Sequence, residues 1–344
     1  MIKDFNTITR NLRYYGGNAG KKRGFTKENG ENWFLKFPKN TKSFKDINIS
    51  YTTSPLSEYI GSQFYEELGF PVHETELGIY QNKVVVSCKD FVEENMIFSE
   101  MKNILNDYLE EYETEREDLV SNLEDNYYVE LEELNYILET NESIKNVQGV
   151  KERFWDMFVI DSLINNSDRH NGNWGFITNE KEKKTEIAPI YDNGNSFFSK
   201  HSDLKMEEIL KDENRIKNIV FTDQTPYKYK NNSVDSVKTI KNLYIGKNIE
   251  EEDKKISKEI KNAILRTVPK IDLLKFNDII DKIPEEYKGI KIMSNTMKNF
   301  YKTIIKEKYE KILLVSLEKV KKNYSPLLKS LNKQKELESK GQGR

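Results

Sequence analysis

The chain has 344 residues, of which 36% are hydrophobic and 33% charged, and its 55 basic and 57 acidic side chains leave a net charge of −2. That length suits two units of ordinary domain size, and the apolar content is enough for a core, which excludes a wholly disordered chain. The even balance of charge excludes a dedicated nucleic-acid binder, which would carry a basic excess. One cysteine, Cys88, rules out an intramolecular disulfide, and with only His73, His170 and His201 beside it a structural zinc site is short of ligands. No apolar run approaches the roughly 18 residues of a membrane-spanning helix, and Met1–Lys22 lacks the apolar stretch of a secretory signal. The expected compartment is the cytoplasm, and delivery into a host cell by a route that leaves no mark in the sequence is compatible with it.

Residues 1–92 read as short strands, glycine-rich turns and one helix. The cluster Gly16-Gly17-Asn18-Ala19-Gly20 forms a first turn. Asn29-Gly30 between two apolar runs is the strongest short hairpin signal and predicts pairing of residues 22–27 with 32–37. Alternation then puts Trp33, Leu35 and Phe37 on one face, and Phe34 and Lys36 on the other. Ile60, Phe64 and Leu68 at helical spacing behind Ser54-Pro55 predict a helix over 57–68. Glu76–Tyr80 and Lys83–Val92 read as a second hairpin turning at Gln81-Asn82.

From residue 93 onward the pattern becomes helical. Between 93 and 142 there are 17 acidic and 2 basic side chains, a net of −15 against +13 for the remainder. Acidic amphipathic helices are expected over 96–112, 117–126 and 130–138. The block is either a solvated insert or a docking surface for a basic partner. Arg153–Ile164 is apolar nearly all round, as in a helix buried in a core. A polar loop, 165–172, leads into two extended runs, 174–177 and 187–191, joined by a charged turn. Lys-rich helix follows from Glu207, and 333–344 reads as a disordered tail. The expected class is α+β: a β-rich lobe (1–92) and a larger helical lobe (93–332) carrying the acidic insert and a functional loop over 165–194. A ligand cleft is expected between them.

Chemistry concentrates in Asp168-Arg169-His170-Asn171-Gly172-Asn173 and in Asp192-Asn193-Gly194. The hairpin between them brings its ends together, so Asn173 and Asp192 can face one point. An amide oxygen and a carboxylate are the hard ligands Mg2+ prefers, and Asp168 can reach over the same point. Phosphoryl transfer needs such a set: a carboxylate to take the acceptor hydroxyl's proton and oxygen ligands for metal on the phosphates. The alternative is a polar loop whose Asp and Asn cap turns. Lys36 suits a nucleotide phosphate if a helix carboxylate, Glu58 or Glu66, steadies it; otherwise it is a solvated strand lysine. Gly16, Gly17 and Gly20 free the backbone to approach phosphate oxygens, or form a plain turn. The strand 84–91 either offers its backbone to an adenine edge or is simply interior.

These stretches together resemble the HipA-type serine/threonine kinases, most nearly their short standalone CtkA-like members. The likeness rests on Gly16–Lys22, Phe34–Pro38, Ser57–Gly61, Cys88–Phe91, Asp168–Asn173 and Pro189–Gly194, and it runs from about residue 8 to 320. The resemblance implies a two-lobed protein-kinase-like fold, ATP and Mg2+ as cofactors, and a protein substrate phosphorylated on Ser or Thr. It implies Asp168 as catalytic base, Asn173 and Asp192 as metal ligands and Lys36 as the phosphate-holding lysine. Ser87, Cys88, Lys89, Asp90 and Phe91 would form the adenine hinge, with Arg169 and His170 supporting the catalytic loop. An antitoxin at the acidic insert is a further implied partner. Two departures stand out: the residues before Gly16 leave no room for the extra N-terminal subdomain of the toxins, and no Ser or Thr lies between Asn11 and Phe25 for self-phosphorylation of the phosphate loop. Ser196, Ser199 and Ser202, or Thr26, are the alternative positions for autophosphorylation, set against an unmodified polar loop. Competing functions are a small-molecule or lipid kinase on the same fold, and a catalytically silent nucleotide-binding module.

Overall fold

A computed structural model describes residues 2–13, 15, 22–42, 49–112 and 128–323. The glycine cluster 16–20, the predicted helix 117–126 and the tail 333–344 lie outside the described residues.

Both predicted hairpins of the first lobe form. Strand β2 (Lys22–Thr26) pairs antiparallel with β3 (Asn32–Lys36), around a turn in which Gly30 takes φ +86°. Strands β4 (Thr75–Tyr80) and β5 (Lys83–Lys89) join through Gln81 and Asn82 at φ 46° and 59°, the two positive values a type I′ turn demands. With β1 (Lys3–Asp4), they make one sheet in the order β1-β4-β5-β3-β2. The predicted alternation in β3 holds: Trp33 and Leu35 are buried in a small core with Phe5, Phe25, Tyr80 and Val85, while Lys36 faces the other way. On that other side lies α1 (Ser54–Glu67), which carries Pro55 in its first turn and buries Leu56, Ile60 and Phe64 in the main core.

The second lobe is organised around a buried helix, Val150–Ile164, whose residues Phe154–Ile164 are all buried. A three-stranded sheet of β6 (Met96–Glu100), β8 (Gly175–Asn179) and β9 (Lys184–Ile187) stands beside it, with the two-residue strand β7 (Val129–Glu130) lying elsewhere. This corrects the expectation of a helix from residue 96. Met96–Glu100 is extended because β8 supplies its hydrogen bonds, and the helix α2 (Met101–Tyr112) follows it. Six further helices follow between Asp203 and Lys308, interrupted by two short hairpins. Among the described residues no helix is long and apolar enough to cross a membrane.

Backbone contacts tie the lobes together. Val72 bridges Ile190 in parallel fashion. The His73 N–H donates to the Ile190 carbonyl at 3.1 Å, and the Ile190 N–H donates to the Pro71 carbonyl at 2.8 Å. The chain segment leading to Asp192 is thereby fixed against the loop that precedes β4.

Candidate functional site

Three elements bring Lys36, Glu58 and Asp192 together. The Lys36 ammonium lies 2.8 Å from Glu58 Oε2 and 2.8 Å from Asp192 Oδ1. Glu58 is 1% exposed on α1, whereas Glu66 is exposed on the same helix, so Glu58 is the carboxylate at Lys36. Its other oxygen, Oε1, accepts from the Asp192 N–H at 3.1 Å and lies 3.0 Å from His73 Nε2. Burial works against each of these charges, and their mutual attraction overrides it. The Lys36 pKa is raised above its ordinary value by Asp192 and Glu58, and those of Glu58 and Asp192 are lowered by Lys36. Lys22, opposite Lys36 in the β2–β3 register, has its pKa lowered by burial and by the Lys36 charge. Two cations therefore share one face of the sheet.

The loop 165–173 is built from the end of the Val150–Ile164 helix. Asn165 closes that helix at φ 57°, ψ 46°, a left-handed cap that Asn tolerates better than most side chains. Arg169 is fully buried and acts as a hub. Its guanidinium donates to Asp161 Oδ2 at 2.8 Å, to the Asn173 carbonyl at 2.8 Å, to the Tyr191 carbonyl at 2.6 Å and to Asn193 Oδ1 at 2.6 Å. One side chain thus joins the Asp168 loop, the start of β8 and the Asp192 loop. Asp161 is the carboxylate that keeps this cation charged against burial, and it also accepts from Tyr65 Oη at 2.8 Å. From the opposite side, Lys308 donates to the Ser162 carbonyl at 2.8 Å and to Asn165 Oδ1 at 3.1 Å.

Asp168 Oδ2 accepts from Asn195 Nδ2, and His170 Nε2 lies 3.9 Å from Asp168 Oδ1. His170 Nδ1 accepts from the Gly172 N–H at 3.0 Å, which pins the ring to its own loop. Asn173 Nδ2 donates to the Asp168 carbonyl at 2.6 Å. That bond commits the amide nitrogen, so it is Oδ1 that could hold a cation. Asn173 and Asp192 therefore offer oxygen donors only, the chemistry Mg2+ selects.

Ser87 and Cys88 are buried strand residues, paired with Leu35 and Phe34 of β3. The Lys89 N–H is taken by the Glu74 carbonyl and the Asp90 N–H by the Asn32 carbonyl, both at 2.9 Å. Phe91 packs against Phe98 and Tyr191, with ring centroids 5.4 and 5.8 Å away, so that an aromatic group joins residues 87–91 to the Asp192 loop. Gly16, Gly17 and Gly20 fall outside the described residues.

The segment after Asp192 departs from the expected modifiable loop. Ser196 and Ser199 are buried, the Ser196 and Ser199 carbonyls accept from Ser57 Oγ and the Thr53 N–H, and Ser202 caps the next helix. Of the four hydroxyl positions named above, only Thr26 is exposed. Asn195, His73 and Phe98 were given no site role from the sequence, since their partners Asp168, Glu58 and Tyr191 lie well away in the chain, whereas Tyr191 showed as part of the Tyr191-Asp192 pair. Asp161 did leave a signal: a carboxylate in an otherwise apolar helix requires a buried partner.

With this geometry in view, the comparisons with known proteins are specific. The model of the HipA-like C-terminal domain family matches residues 10–267. The serine/threonine-protein kinase CtkA of Helicobacter pylori is 31% identical over 315 residues, spanning 88% of this chain and 83% of that protein. The crystal structure of a Helicobacter pylori proinflammatory kinase CtkA superposes with a TM-score of 0.77 at 29% identity, covering 94% of this chain and 98% of that one. Shewanella oneidensis HipA, solved with HipB and operator DNA, gives a TM-score of 0.51 at 14% identity, over 91% and 69% of the two chains. At that identity the likeness speaks for the fold alone.

Proposed function

The chain belongs to the HipA-like C-terminal domain family, and from that membership we propose that it is a serine/threonine-protein kinase working on Mg-ATP through the cleft that holds Lys36, Asp168, Asn173 and Asp192. The observation that carries this reading is Lys36 held at 2.8 Å by both Glu58 and Asp192, an ammonium kept charged and aimed where phosphate oxygens would lie. Glu58 fixes the lysine, Lys36 and Lys22 offset phosphate charge, and the 87–91 segment with Phe91 receives the base. Asn173 Oδ1 and the Asp192 carboxylate would hold Mg2+, which when bound neutralises charge on the transferring phosphoryl group. Asp168 accepts the proton of the acceptor hydroxyl, its carboxylate oriented by Asn195 Nδ2. Arg169 keeps the two loops in mutual register. A basic partner of antitoxin kind fits the acidic stretch 93–142 by charge.

The test uses the full chain with γ-labelled Mg-ATP and a basic acceptor protein. Wild type should transfer label to Ser or Thr, and Asp168→Asn should lose about 10²–10⁴-fold of that rate with an unchanged melting temperature. Equal labelling by the variant would sink the assignment. Label appearing on small metabolites or lipids alone would redirect it to a different acceptor class.

A further inference from the structure

Behind the Lys36–Glu58 pair lies a group of side chains that phosphotransfer does not employ together. Glu58 from α1, His73 from the loop before β4 and Cys88 from β5 each present one ligand atom. These atoms lie within 4.8 Å of one another, and all three residues are buried. His73 is 4% exposed. Its Nε2 stands 3.0 Å from Glu58 Oε1, yet among the described residues neither ring nitrogen has a hydrogen-bond partner in good alignment. Buried polar groups are normally satisfied, and one that is not calls for an explanation.

We propose that Glu58, His73 and Cys88 form an inhibitory site for a thiophilic divalent cation of the zinc class, which draws Glu58 away from Lys36 and closes the phosphate site. Its inhibitory consequence rests on the kinase reading above; cation binding does not. A tetrahedral zinc holds nitrogen and oxygen at about 2.0–2.2 Å and sulfur at about 2.3 Å, so its ligand atoms stand roughly 3.4–3.6 Å apart. Closing the widest gap therefore takes a movement of about 1 Å. Three protein ligands and one solvent position make an open site, unlike the closed four-ligand sites that brace folds. Cys88 joins as thiolate: the S–H bond breaks, a sulfur–metal bond forms, and the proton passes to solvent. Burial, and then the Glu58 carboxylate, keep that thiol protonated in the absence of metal, so binding strengthens as pH rises. Mg2+ does not compete, because it favours six hard oxygens over imidazole and thiolate.

The rearrangement strands no charge. When Glu58 turns to the cation, Lys36 keeps Asp192 Oδ1 at 2.8 Å. In that state the lysine has lost the buried carboxylate that aims it.

Cobalt(II) serves as the coloured probe for binding. Added to the full chain without nucleotide, one equivalent should give thiolate-to-cobalt charge-transfer absorption, absent in Cys88→Ser and weakened in His73→Gln. In phosphotransfer assays with Mg-ATP in large excess, zinc should inhibit the wild type. Relative to each variant's own metal-free rate, the zinc needed should rise by at least roughly 10–100-fold. A wild-type chain that shows no thiolate band overturns the site, without recourse to any variant. Undiminished zinc sensitivity in Cys88→Ser overturns it as well. A thiolate band in a chain that transfers no phosphate supports the site and places the failure with the kinase reading.

Discussion

At Lys36 a single ammonium separates a buried carboxylate, Glu58, from a half-buried one, Asp192, and this fixes what each substitution costs. Lys36→Met leaves Glu58 and Asp192 facing each other without a cation, which should destabilise the chain by about 3–5 kcal/mol. Glu58→Gln leaves Lys36 paired with Asp192 and should cost clearly less; urea denaturation of the two variants without nucleotide checks the order. The pH dependence has a definite sign. Glu58 and Asp192 have lowered pKa values, so their contribution is complete above the unfolded carboxylate range of about 4 and is lost as pH falls below it. Lys36 has a raised value, so its contribution is complete below about 10.4 and is lost only above its folded value. The acid limb of the stability curve should therefore be shallower in Lys36→Met than in wild type. Asp223 behaves oppositely: burial pushes its carboxyl up to about 6, the folded state binds the proton more tightly, and stability falls as pH rises from about 4 to 6. Asp223→Asn should accordingly gain on wild type, by about 1 kcal/mol more near pH 7.5 than near pH 5.

Helix α1 approaches the Asp192 loop as closely as it does because position 61 is glycine. A Cβ there would lie 2.7 Å from Asn193 Cβ, an atom fixed by bonds from Asn193 to Arg169 and Ser62. Helix propensity alone predicts that Gly61→Ala stabilises by about 1 kcal/mol. The contact predicts displacement of α1, and it should win, because neither backbone can give way. Phosphotransfer and nucleotide affinity should fall in Gly61→Ala, measured beside its melting temperature; a fully active, more stable variant would show that the contact relaxes. The same distinction between local and distant causes explains what could be read from the sequence. Asn29-Gly30 and Gln81-Asn82 carry their turn geometry in their own residues, so both hairpins and the Lys36 face were visible. Met96–Glu100 is a strand only because Gly175–Asn179, far downstream, pairs with it, and short polar–apolar mixtures do not reveal such partners. In the candidate site, Asp168, Asn173 and Asp192 showed through their spacing about a hairpin. Asn195 and His73 did not, since their importance lies in partners well separated from them in the chain, Asp168 and Glu58.

A kinase that works on Mg-ATP between Lys36 of the first lobe and Asp168 and Asp192 of the second should respond as a whole molecule when the nucleotide binds. Mg-ATP at about 100 times its dissociation constant should add about 2.7 kcal/mol to stability, raising the melting temperature by several degrees. Asp192→Asn should abolish that rise while remaining folded, and a persistent rise would move the metal ligand elsewhere. The charge division has a structural counterpart: Lys22 and Lys36 stand on the sheet of the first lobe, whereas described parts of the acidic stretch, β6 and the Leu131–Thr140 helix, belong to the second.

Arg169 gives this arrangement an evolutionary consequence. One guanidinium carries the Asp168 loop, the Asn173 carbonyl, the Tyr191 carbonyl and Asn193 at once, and a lysine presents a point charge in place of that rigid fork. Descendants of this sequence can exchange surface helices, acidic stretches and loop lengths one at a time, each step tolerable by itself. They have no such gradual path at position 169, where a single replacement takes away the shared frame of residues that are themselves untouched. In a decaying gene copy, intact catalytic side chains would thus be poor witnesses to activity, and the arginine that never meets substrate would be the better one.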